Sequence, residues 1–73
     1  IKKRRKMIKK LDLHGVRHAE VDRMVENFVL LNDPPLRIIT GNSGQMMDLV
    51  NKVLNRHDME YENLLPGQVS IYK

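Results

Sequence analysis

The sequence predicts an α/β domain, an α+β two-layer sandwich in the order β-α-β-α-β-β, with a mixed four-stranded sheet and two helices on one face. Three observations predict it. Two short apolar segments, ending at Leu13 and at Thr40, each break at a glycine into a loop that an amphipathic stretch follows. The last fifteen or so residues alternate with period two around Pro66-Gly67, as a terminal hairpin does. A length of 73 residues allows one small core and no second one.

The first strand is expected over residues 8–14, where Ile8, Lys10, Asp12 and His14 alternate with Lys9, Leu11 and Leu13. Leu11 and Leu13 then share one face, and Asp12 and His14 the other. After Gly15, the residues Val21, Met24, Val25, Phe28, Val29 and Leu31 or Asn32 recur at helical spacing, with Arg23, Glu26 and Asn27 opposite. The predicted helix has about four turns and stops before Asn32-Asp33-Pro34-Pro35, because Pro34 disfavours helical geometry in the residue before it.

Leu36–Thr40 is short, apolar and β-branched, as in a strand with at least one buried face. In the second helix, Met46, Met47, Val50, Val53, Leu54 and His57 form the core stripe, Asn42 or Ser43 is the N-cap, and Asp48 lies near the first turn. Residues Met59–Leu64 and Val69–Tyr72 make the hairpin. Right-handed crossovers place both helices on the same side of the sheet when each strand is added on the same side as the last.

Composition narrows the class. The absence of cysteine removes disulfides and thiolate metal sites, and fits a reducing, cytoplasmic setting. No apolar run approaches the ~20 residues that span a bilayer, so a soluble protein without a membrane partner is expected. The chain begins at Ile1 and reads as a segment of something longer.

The net charge of +4 divides unevenly. Lys2, Lys3, Arg4, Arg5, Lys6, Lys9 and Lys10 supply seven of the thirteen basic residues, whereas Leu11 onward carries six basic against nine acidic. A basic arm over residues 1–10 thus precedes a mildly acidic domain over 11–73. The arm is suited to nucleic-acid phosphates, which it would bind without sequence choice. A solubilising tail is the alternative, with even weight.

Two loops carry the candidate chemistry. A carboxylate two residues from a histidine on one strand face, Asp12 with His14, can orient the imidazole and raise its basicity for general acid/base catalysis. Asp-x-His also occurs in plain turns, where the histidine only makes a hydrogen bond. The second loop, Thr40-Gly41-Asn42-Ser43-Gly44, offers backbone N–H groups at a helix N-terminus, where an anion such as phosphate is favoured. It lacks the endings of a P-loop and of a dinucleotide fingerprint, and read alone it is as well explained by a tight strand-to-helix turn. Both loops lie at the carboxyl ends of parallel strands, where ligands of open α/β sheets gather. Arg17 and Arg37 are the cations best placed to add phosphate contacts, or else are solvated surface charges. Asp12 is the only carboxylate in either motif, which disfavours a two-metal centre and leaves Mg²⁺ or Mn²⁺ as candidate cofactors. His14 and His18 are four apart, but Gly15 spoils their spacing as metal ligands. Of the aromatic residues, Tyr61 or Tyr72 on the hairpin is placed to stack a single base where exposed.

At these residues the sequence resembles a family. Leu11-Asp12-Leu13-His14-Gly15, a helix, a strand ending in Thr40-Gly41 and a second helix look like the small MutS-related (Smr) domain, with its LDxH motif and its TGxG or HGxG loop. The resemblance implies a sandwich similar to the C-terminal domain of translation initiation factor 3, and a DNA- or RNA-binding domain with nicking or RNA endonuclease activity. A non-catalytic nucleic-acid module is the runner-up, and a protein-interaction domain using the open sheet face the third reading. Two departures stand out: Gly41 and Gly44 are three apart where the family spaces them two apart, and only Pro66-Gly67 precedes the last strand.

Overall fold

The computed structural model describes residues 8–63 and 67–72. Its elements are β1 (Lys9–Asp12), α1 (His18–Leu31), β2 (Leu36–Ile39), α2 (Gly44–Arg56), β3 (Tyr61–Asn63) and β4 (Gln68–Ile71), in the order the sequence predicts. The basic residues Lys2, Lys3, Arg4, Arg5 and Lys6 lie outside the described residues. Lys9 and Lys10, read from sequence as part of the arm, are the first two residues of β1.

The sheet order is β1-β2-β4-β3. β1 runs parallel to β2 with Asp12 opposite Ile39, and β4 runs antiparallel to both β2 and β3. β3 therefore lies two positions from β2, and the chain returns to fill the gap with β4. The parallel β1–β2 pair needs a crossover, which α1 supplies, and it puts the loops after β1 and β2 on one sheet edge.

One face of the sheet and one stripe of each helix make the core. Leu13, Leu36, Ile38, Val69 and Ile71 pack against Val21, Val25 and Val29 of α1 and Met46, Val50, Val53 and Leu54 of α2. Fully burying such a side chain is worth about 1.5–3 kcal/mol each, and this is what fixes the register. α1 and α2 contact each other along their length, so they share one side of the sheet. Met24, Met47 and Met59 fill the edges of this core, as the methionine positions suggest.

Three local expectations change. Leu31 is 80% exposed, because it lies two residues, roughly 200° of helical turn, past the buried Val29 and off the Val21–Val25–Val29 stripe, and the neighbouring Asn32 donates its side-chain amide to the Phe28 carbonyl at 2.9 Å. Asp48 lies past the first turn of α2, since that helix starts at Gly44. Arg37 alternates with the buried Leu36 and Ile38, so it sits on the uncovered sheet face beside Lys10 rather than at the loops.

Polar contacts between the end of α2 and α1 complete the two-layer packing. Arg56 donates to both carboxylate oxygens of Asp22 at 2.9 and 3.2 Å, and His57 Nε2 lies 3.1 Å from Glu26 Oε2. His57 is also the C-cap of α2, in keeping with its position in the sequence. None of the described helices is long and apolar enough to cross a membrane.

Candidate active site

β1 ends at Asp12, and its carboxylate organises the turn that follows. Oδ1 accepts the His14 backbone N–H at 3.0 Å and lies 2.6 Å from His14 Nδ1. The turn closes with Val16 N–H donating to the Leu13 carbonyl at 3.1 Å, and Leu13 is anchored in the core with no exposed surface. The alternation of β1 thus does two things: it buries Leu13 and turns Asp12 and His14 outward. Both side chains stay open to solvent, at 59% and 65%.

The pair is electrostatically matched. The His14 backbone N–H, followed by its ring, holds the Asp12 carboxyl below its ordinary value. An ionised carboxylate at Nδ1 makes that nitrogen the proton donor, which leaves Nε2 as the lone-pair nitrogen of the neutral ring.

The second loop comes up against that nitrogen. A methyl group placed on Gly41 would meet His14 Nε2 at 3.1 Å, and Gly41 also has a φ of +76°. Only glycine satisfies both conditions. Behind it stands Gly67, at φ +92°, where a Cβ would come within 2.8 Å of the Gly41 carbonyl oxygen. The Gly67 carbonyl accepts the Thr40 N–H at 2.7 Å and the Gly41 N–H at 3.3 Å. Three segments distant in sequence, His14, Gly41 and Gly67, are therefore stacked in that order.

These bonds sort the predicted loop residues. Thr40 is buried, its hydroxyl donates to the Gly41 carbonyl at 3.1 Å, and its amide is spent on Gly67. The Gly41 amide is spent likewise. Ser43 is the N-cap of α2: its Oγ accepts the Met46 N–H at 3.1 Å, and its carbonyl accepts the Met47 N–H. Among the described residues, the N–H groups of Asn42, Ser43, Gly44 and Gln45 have no partner, as the first turn of a helix leaves them. Asn42, Ser43 and Gly44, with Gly41, Met47 and Gly67, line a shallow cleft of about 200 Å³.

Of the predicted cations, Arg17 is the N-cap of α1, exposed and a few residues past the Asp12–His14 turn. Arg37 is not at the loops. His18 opens α1, and the described residues hold no group of three His, Cys, Asp or Glu side chains fit for a metal. Gly67 is the residue whose role the sequence conceals: Pro66-Gly67 signals a turn, and nothing local says that the turn rests on Gly41.

No family model matches the chain, and no curated protein matches it. A solved structure does: the crystal structure of the human small-MutS related domain aligns with 85% of this chain and 96% of its own length, with a TM-score of 0.58 and 24% identity. The β-α-β-α-β-β order with its mixed four-stranded sheet and two helices is therefore the fold of a small-MutS related domain.

Proposed function

We propose that this domain binds nucleic acid and cleaves a phosphodiester bond, with His14 as general base and the N-terminus of α2 holding the phosphate. The observation that carries the reading is the Asp12–His14 contact of 2.6 Å with Nε2 turned to Gly41, at the mouth of a loop that ends in unpaired helix N–H groups. An imidazole and a candidate anion site are thereby neighbours. The human small-MutS related domain shares the fold.

The chemistry follows from the donors. On RNA, Nε2 takes the proton of a 2′-hydroxyl, the 2′-oxygen attacks phosphorus, and the P–O5′ bond breaks, with the departing 5′-oxygen taking a proton from water or from His14. The Asp12 carboxylate stabilises the imidazolium that forms. The N–H groups of Asn42, Ser43, Gly44 and Gln45 face the non-bridging oxygens and are favoured by the dipole of α2. Mg²⁺ or Mn²⁺ would have Asp12 as its single protein carboxylate, and acid/base cleavage through the 2′-hydroxyl needs neither ion. Arg17 and the basic residues Lys2, Lys3, Arg4, Arg5 and Lys6 add salt-sensitive phosphate contacts.

The test is a panel of structured RNA, single-stranded RNA and duplex DNA offered to the unaltered protein and to Asp12→Ala/His14→Ala. The double variant is expected to bind but not to cut. Absence of cutting by the unaltered protein, with binding kept, would instead support the non-catalytic module.

A further inference from the structure

The two helices cover one side of the sheet, and among the described residues nothing covers the other. Across that open face the strand register sets Lys10, Arg37, Ser70 and Glu62 in one row. Tyr72 follows directly on β4, donates its backbone N–H to the Glu60 carbonyl at 2.7 Å and its hydroxyl to Glu62 Oε1 at 2.6 Å. Ser70 pairs with Glu62 and lies two residues before Tyr72 on the same side of β4, and it is only 7% exposed. The Tyr72 ring is thus tethered at both ends and lies along the sheet, with the residue still 47% exposed.

The cations beside it are unspent. Asp12 is engaged by His14 and Glu62 by Tyr72, and neither Arg37 nor Lys10 forms an ion pair among the described residues. Arg37 Nε is shut off from solvent without a hydrogen-bond partner, so the half-buried guanidinium lies down on the face it belongs to. A fixed aromatic ring next to two unpaired cations is the combination that holds a single strand: a base stacks on the ring, and its phosphates meet the cations. The outward residues of β1 continue from Lys10 to Asp12, about 7 Å further on at the rise of a strand, and Asp12 in turn holds His14.

We infer that the open sheet face is a binding platform for single-stranded nucleic acid, with Tyr72 as the stacking residue and Arg37 and Lys10 as the phosphate contacts. It deepens the proposed function by adding a track that leads an unpaired strand to His14. An acidic peptide fits the cations but has no use for the tethered ring, and a duplex keeps its base faces hidden.

The experiment is titration of a short oligouridine strand, and of the same strand annealed to oligoadenosine, into the unaltered protein, Tyr72→Ala, Tyr72→Phe and Arg37→Gln. Tyr72→Ala is expected to weaken the single strand about tenfold or more, and Tyr72→Phe to keep most of the affinity. Arg37→Gln is expected to lower the salt slope by about 0.7. Amide shifts in the unaltered protein should move along Lys10, Arg37 and Ser70, a readout that needs no variant to fold. Equal affinity of Tyr72→Ala and unaltered protein, or shifts confined to the helices, would overturn the platform. Preference for the duplex would do the same. Loss of cutting without loss of binding in His14→Ala concerns the catalytic reading alone, so the two fail separately.

Discussion

Asp12 illustrates how one side chain can shape a site without burial. Its carboxylate takes both the amide and the ring of His14, and these bonds favour the ionised form. The sign of the pH effect follows: with a lowered folded value, the stabilisation is present above the unfolded value of about 4 and is lost as pH falls through the folded one. A carboxyl-detected titration should therefore put the Asp12 midpoint below that of a free aspartate. His14→Ala removes the ring but keeps the backbone N–H, the larger cause, so it should move the midpoint only part of the way back up.

Gly67 is the complementary case, a residue without a side chain on which a site depends. Its φ of +92° and the 2.8 Å approach to the Gly41 carbonyl leave no place for a Cβ. Gly67→Ala is expected to cost about 2 kcal/mol or more in stability, from left-handed strain plus displacement of the Gly41 backbone. Thermal melting would read the loss. An unchanged melting temperature would mean that the two loops do not lean on each other.

At the scale of the element, α2 ends in a motif that the sequence does not advertise. Asp58 N–H donates to the Asn55 carbonyl at 3.1 Å and Met59 N–H to the Leu54 carbonyl at 3.0 Å, the paired bonds of a Schellman ending. The left-handed position in such an ending is usually glycine, and here it is Asp58 at φ +53°. Asp58→Gly should relieve that strain and stabilise the domain by about 1 kcal/mol, measured by chemical denaturation. The other end of α2 is better served, with Ser43 capping Met46 and the next donors facing the cleft. Between the helices, the exposed Asp22–Arg56 pair sets alignment more than stability, as exposed pairs do.

For the whole molecule, periodicity in the sequence suffices to draw the architecture. Val21, Val25 and Val29 repeat every four residues, Leu36 and Ile38 every two, and the structure buries them all. Asp12 and His14 are legible for the same reason: once Leu13 must face inward, its neighbours on the strand must face out. What sequence does not reveal is contact between distant turns. The stacking of His14, Gly41 and Gly67 depends on β4 entering between β2 and β3, a sheet order that local alternation does not encode. Arg37 faces outward from β2, three residues before Thr40, as the alternation of the strand requires. Leu31 extends the apolar run of α1 but lies roughly 200° of turn past the buried Val29, off the stripe that faces the sheet.

The human small-MutS related domain is matched over nearly its full length, so the two-layer frame accounts for the placement of both loops on one edge. Within that frame the account turns on His14. Its most direct test is the rate at which saturating protein cuts RNA, compared between the unaltered chain and His14→Ala. The variant is expected still to bind but to cut at least about a hundredfold more slowly, the scale of a lost general base. Cutting at the unaltered rate by His14→Ala would contradict it.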